Sequence, residues 1–367
     1  MQPKISETQK VSAFFSFFHI YAIQIGVGIL YYERLIAKAA GYDGWVGVFI
    51  AGASTLVVMW LIFRIMDRGQ GDLIVIHRQL FGKWIGNGLS LLFAVYLMVL
   101  GLTVLRSYVE LVQVWLFPTA SYWIFGFLVI FVAYFFISGG FRGVTAVSFL
   151  SIIYGTPLFF ALYYPLAYAH YDNLLPLFNH SFGEYFAATK VMALNYMGFE
   201  ILFLTYPFYK KQKEAQKWAY FGALMTIFIY FILTVIAFVF YSFPQLMHII
   251  WGTMTLWMTV NLPFLERFEY VGITIWFFII MPNLCLVIWG ASRVGKVLFK
   301  WRQRILVVFL LVATLIVGAF FSNHHQIVWL NHFESNLGFY FLYGYIPLLF
   351  IYQTIVLKVR KRHAKSK

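Results

Sequence analysis

The chain has 367 residues, 62% of them hydrophobic and only 11% charged, whereas soluble domains are roughly half apolar and a quarter charged. Its formal net charge of +14 would suit nucleic acid, but the basic residues fall in short connections between long apolar runs and build no continuous basic face. A soluble enzyme and a nucleic-acid-binding protein are both excluded, and the expected class is an all-α integral membrane protein with no cofactor, metal or catalytic centre.

The first apolar run, 11–32, is longer than a signal-peptide core and has no small-residue cleavage pattern, which predicts a retained span. Further runs that fit a bilayer core about 30 Å thick, needing roughly 20 apolar helical residues, lie near 45–63, 85–112, 121–138, 144–168, 186–208, 218–241, 268–291, 305–321 and 338–357. They lack the polar alternation of a membrane barrel, so about ten transmembrane helices are expected. The chain is read as a single transmembrane domain, 1–367. It holds two repeats, 11–168 and 186–357, and a basic tail, 358–367.

An even number of spans puts both termini on one side. Lys4 and Lys10, the groups Arg64 to Lys83, Lys210 to Lys217 and Arg293 to Arg304, Arg142 and the tail then share that side, which the positive-inside rule makes cytoplasmic. The tail reads as a topology anchor. Two pieces are expected to lie flat: 72–81, an interfacial helix on the cytoplasmic side, and 245–262, an outer-surface helix rich in Trp and Thr.

Backbone bonding is expected to fail at two depths. Span one holds Gln24-Ile25-Gly26-Val27-Gly28-Ile29-Leu30, where the glycines either permit close helix packing or mark an unwound segment. Span six holds Asn195-Tyr196-Met197-Gly198-Phe199-Glu200 at a similar depth. With the spans divided five and five, the broken helices open each half, as in an inverted repeat around a central site. Helix N-termini exposed there offer N–H donors to a carboxylate, and freed carbonyls receive an ammonium group, so a zwitterion fits.

Glu200 lies amid apolar neighbours, and three roles stay open to it: binding a ligand amine, accepting a proton, or pairing with another helix. Arg106 and Glu110 stand four apart in span three and read as a local ion pair. Glu33 and Arg34 fall at the outer mouth of span one, and Glu266, Arg267 and Glu269 at the outer end of span eight. His324, His325 and His332 are expected in one solvated external loop, Cys285 reads as packing, and an interior Tyr96 or Tyr154 would line a pocket. No phosphate-binding loop, zinc motif or hydrolase elbow is present.

The ten-span plan, GVGIL at Gly26 to Leu30, GFE at Gly198 to Glu200 and LPFLERFEYVGITIW at Leu262 to Trp276 resemble the spore germination permease-like B subunits. These belong to the amino acid–polyamine–organocation transporter group. The resemblance implies a subunit of a nutrient-germinant receptor in the inner membrane of the bacterial spore. Its partners would be an A subunit and a lipoprotein C subunit, and its ligand an amino acid or other small nutrient. By that resemblance Gly26, Val27, Gly28 and Ile29 face Asn195, Gly198, Phe199 and Glu200 across the ligand pocket. Tyr96, Thr103 and Asn283 join them from spans three and eight. A secondary active amino-acid transporter, proton-coupled through Glu200, is the alternative.

Overall fold

The chain folds as helices whose bounds follow the apolar runs, and the side chains of Asp72, Ser121, Ser181 and Asn323 cap the starts of some of them. The structure is a computed structural model and describes residues 5–263 and 265–365; Lys4, Phe264 of the LPFLERFEY run and Lys367 lie outside them. Among these residues the only extended pairings are two isolated bridges, Val11 with Tyr209 and Leu262 with Leu265.

In chain order the first segment is α1 (Phe15–Gln24), a 3-10 turn and α2 (Tyr32–Ala40); α3 (Trp45–Gly69), α4 (Leu73–Trp115), α5 (Tyr122–Ser138) and α6 (Gly140–Phe160) complete the first half. The second half runs α7 (Phe182–Asn195), a 3-10 turn and α8 (Leu202–Thr205), then α9 (Gln212–Phe240), α10 (Phe243–His248), α11 (Gly252–Trp257), α12 (Phe268–Phe299), α13 (Gln303–Gly318), α14 (His324–Phe339) and, after a π turn, α15 (Ile346–Lys365). Six helical stretches are long and apolar enough to cross a membrane, and the pair 182–195 and 199–208, bent by 47°, adds a seventh. Helices α5 and α13 are apolar but shorter. The remaining expected span, 11–32, begins with α1, which stops after 10 residues.

Besides a large buried apolar core, many large apolar side chains face outward. Phe135 is 72% exposed and Trp84 88%, whereas Asn283, His19 and Glu200 are buried. That distribution suits apolar solvent outside and polar groups paired inside. Helix α12 is the most enclosed element and packs on α4, α6 and α1. The bridge at Val11, with Val11 N–H donating to the Phe208 carbonyl at 2.9 Å, ties the start of the first segment to the end of the sixth.

Three expectations are corrected. The piece 72–81 is helical from Leu73 but joins α4 through a kink at Gly82, whose φ of +77° suits glycine. Its His77 is buried between Ser90 and Tyr345 rather than facing an interface. The stretch 245–262 forms no single surface helix: α10 and α11 are short, and Trp257 is buried against α12, where a Cβ on Gly272 would stand 2.5 Å from its ring. Finally, His324, His325 and His332 belong to helix α14. The Asn323 side chain accepts from Gln326 N–H at 3.0 Å and the Gln326 side chain reaches back, so a capping box starts the last helix well before residue 338.

Candidate functional site

Helix α1 ends where its sequence stops supplying side chains that favour helix. Ile25 is extended (φ −106°, ψ 94°) and Gly26 more so (φ −117°, ψ −153°) before the turn Val27–Leu30 leads into α2. The sixth segment breaks at Gly198, whose φ of +105° strongly favours glycine; a Cβ there would also stand 2.8 Å from Ile23 Cγ1. The second break therefore packs against the last turn of α1, just before the first break.

Five carbonyls at the breaks already have side-chain donors. Gln24 Nε2 donates to the Tyr196 carbonyl at 2.9 Å, and Tyr230 Oη reaches the carbonyls of Gln24 at 3.2 Å and Asn195 at 3.4 Å. Asn283, from the middle of α12, donates its amide to the carbonyls of Ala22 at 3.0 Å, Ile25 at 3.1 Å and Ile279 at 3.4 Å. Three carbonyl oxygens converging on one nitrogen form the kind of cradle that unwound transporter helices offer to a cation; here a tethered amide fills it.

The N–H groups differ. Those of Gly26, Val27 and Gly28 stand at the start of the turn, where no carbonyl of the same turn reaches them, and none has a partner elsewhere among the described residues. They border a cavity of about 410 Å³, with a mostly apolar wall, that runs from the breaks past Arg34 and Trp251 to the first turns of α14. Gly26, Val27, Gly28, Thr103, Asn195 and Asn283 all line it. Gly28 faces Asn195 so closely that a Cβ would stand 2.5 Å from Asn195 Oδ1.

The other five expected residues are not in its lining. Ile29 turns the opposite way, toward a void of about 50 Å³ beside Trp257 and Trp276. Phe199 and Gly198 pack beneath the break. Glu200 is fully buried, with Oε2 accepting from Gly198 N–H at 2.9 Å and Oε1 accepting from the Tyr96 hydroxyl, so both its oxygens and Tyr96 are engaged within the protein. Of the three roles open to Glu200, bracing is the one its contacts display.

Sequence reasoning missed Tyr31, Asn331, Ser335 and Glu334 in the wall. All but Tyr31 lie on α14, hidden by the reading of that stretch as a loop; the Asn323 and Gln326 pair was the available signal.

The acidic and basic residues also rearrange. Arg106 does not brace Glu110: its Nε donates to the Phe321 carbonyl at 2.6 Å, and Glu110 instead accepts from His324 Nδ1 at 2.8 Å. The backbone end of α13 competes for the guanidinium, and the capped α14 brings an imidazole to the carboxylate. Glu33 is buried and accepts from the Thr253 hydroxyl, so it sits under α11 and not in the mouth, whereas Arg34 does line the cavity. Arg267 pairs with Glu269 at 2.8 Å. Tyr154 lies against Phe278, 42% exposed, and is not in the lining of the cavity beside the breaks. Cys285 is buried in the packed interior.

With this geometry in view, the comparisons with known proteins decide the family. A family model described as spore germination protein matches residues 10–327. Spore germination protein GerQB of Bacillus cereus is 37% identical over 352 residues, which cover 96% of this chain and 98% of that protein. The chain belongs to the spore germination protein family. Among solved structures, MhsT in complex with L-phenylalanine superposes with a TM-score of 0.66 at 13% identity, covering 94% of this chain and 88% of that one. A Na+-coupled sialic acid symporter gives 0.64 at 9% identity, covering 91% and 79%. This spore germination protein therefore shares the all-α membrane fold of those transporters.

Proposed function

We propose that this membrane germination protein is the nutrient-binding subunit of a germinant receptor. A small zwitterion, in the first instance an amino acid, enters the cavity and places its carboxylate on the open N–H groups of Gly26 to Gly28. The carrying observation is that a cavity reaches the first break where three N–H groups lack partners. The positive end of α2 adds a favourable field for an anion.

Binding that fits one arrangement of the broken helices better than another shifts the population between them, and partner subunits read that shift. The partners in this reading are an A subunit and a lipoprotein C subunit, in the inner membrane of the spore with both termini on the core side. The whole chain acts as one transmembrane domain, its two five-helix repeats meeting at the site. The 37% identity to spore germination protein GerQB supports the biological setting.

A second reading, secondary active transport of the same solute, draws on the fold alone, since the structural neighbours include a Na+-coupled symporter. The Asn283 amide bears on it. The carbonyls of Ala22, Ile25 and Ile279, a cradle of the kind unwound helices offer a cation, already hold the amide, which favours a binder that works without sodium coupling. Purified chain in liposomes, offered labelled L-alanine and L-phenylalanine under sodium and proton gradients, separates the readings. Saturable binding without accumulation is expected; uphill accumulation by the chain alone would make it a transporter.

A further inference from the structure

Glu334 is a second intramembrane carboxylate, and its surroundings contrast with those of Glu200. It lies on α14, is only 8% exposed, and lines the same cavity as the first break. It makes no hydrogen bond and no ion pair with any described residue, since Glu110 takes His324 and Glu200 takes Tyr96 and Gly198. An ionised carboxylate held in a low-dielectric site without a partner is costly. The face of α14 that presents it is fixed: one turn on, Gly338 packs so tightly on Met197 that a Cβ would collide with its sulfur and stand 3.1 Å from Tyr96 Oη.

We propose that Glu334 is the ammonium-recognising residue of the cavity, so that the site takes ligands carrying a primary amine beside a carboxylate. The inference rests on the nutrient-binding reading and sharpens it. The ligand carboxylate meets N–H groups of the first break, and its ammonium meets Glu334. Carbonyls at the breaks are less available to it, because those of Ala22, Gln24, Ile25, Asn195 and Tyr196 accept from Asn283, Tyr230 and Gln24. A charge-assisted bond to an ammonium would supply the partner that Glu334 lacks. Glu110, the other carboxylate in the lining, is already paired with His324, which leaves Glu334 as the group that selects positive charge.

The test uses the full chain in lipid nanodiscs. The probes are L-alanine, L-valine, L-leucine and L-phenylalanine, each beside its desamino acid, with inosine as a solute that has no ammonium group. The variants are Glu334→Gln, Glu334→Asp and Thr103→Trp, the last filling the cavity. For at least one of the four amino acids, wild type is expected to bind at least tenfold more tightly than the desamino partner. Glu334→Gln should lose tenfold or more on that amino acid, Glu334→Asp should restore most of it, and the desamino acid should bind both proteins alike.

Amino-acid binding unchanged in Glu334→Gln but abolished by Thr103→Trp would overturn the role of Glu334 and leave the cavity reading standing. Binding indifferent to both variants would overturn the cavity reading itself. Binding of inosine and of none of the amino acids would overturn the ligand class.

Discussion

The two broken helices do opposite things with the polar groups they release. At the second break the chain closes on itself: Gly198 turns into the left-handed region, its N–H is taken by Glu200, and Tyr96 closes the other carboxylate oxygen. At the first break the carbonyls of Ala22, Gln24 and Ile25 are closed, whereas Gly26, Val27 and Gly28, with their N–H groups unpartnered, border the cavity. One break is therefore a brace and the other an opening. A charge in the middle of a span can serve the backbone that interrupts it, and the residue most conspicuous in sequence need not be the one that meets a ligand.

If the second break is a brace, damaging it costs stability first. Glu200→Leu leaves the buried Gly198 N–H and the Tyr96 hydroxyl without an acceptor, and each such loss costs roughly 1–3 kcal/mol. A loss of about 3 kcal/mol is expected, read as a lowered thermal midpoint in detergent and reduced abundance in the membrane. Normal stability with lost ligand binding would reverse the comparison and return Glu200 to the ligand. Gly198→Ala should follow, at roughly 1–3 kcal/mol, because alanine strains at a φ of +105° and presses on Ile23.

The first break should respond in the other currency, affinity. At Gly26 a Cβ would meet only Asn283 Oδ1, at an ordinary 3.6 Å, so a larger side chain grows into the cavity without colliding with the fold. Gly26→Leu is expected to weaken amino-acid binding by about tenfold or more, equivalent to roughly 1.4 kcal/mol, while the thermal midpoint and membrane abundance stay near wild type. Equal binding would remove the first break from the site.

Much of this was legible in the sequence because bilayer physics is severe. Runs near 20 apolar residues have to be helices, and two glycine-bearing breaks at matched depth in spans one and six mark where the helices part. Of the six cavity-lining residues anticipated, Gly26, Val27, Gly28 and Asn195 came from the breaks and the family resemblance, and Thr103 and Asn283 from depth along spans three and eight. Which way a side chain points around its helix axis is set by neighbours, and that was not legible. Tyr96 and Thr103 are seven apart, yet Tyr96 is drawn to Glu200 while Thr103 lines the cavity. Ile29 follows Gly28 directly and faces the opposite void. The last helix was misread for another reason. Its first half, with three histidines, Asn331 and Glu334, is too polar to register as a span, and hydropathy gives no credit to polar residues that line a cavity.

The smallest expected effect concerns the mouth, where the sequence paired Arg106 with Glu110 and the structure pairs Glu110 with His324. The difference lies in competition. A guanidinium four residues away on the same helix gains roughly 0.2–0.5 kcal/mol from a carboxylate, and here the Phe321 carbonyl at 2.6 Å already holds it. His324 comes from another helix at 2.8 Å but keeps its side chain 56% exposed, so that pair too should contribute only about 0.5 kcal/mol. Double-mutant cycles on the thermal stability of the purified chain decide between them by order. The cycle of Glu110→Gln with His324→Asn should give the larger coupling and shrink at high salt, as screening requires of an exposed pair. The cycle of Glu110→Gln with Arg106→Gln should stay near zero. A reversed order would restore the brace within α4 and free the start of α14 from the mouth. The polar first half of that helix would then owe its position to its cap and to Glu334's face alone.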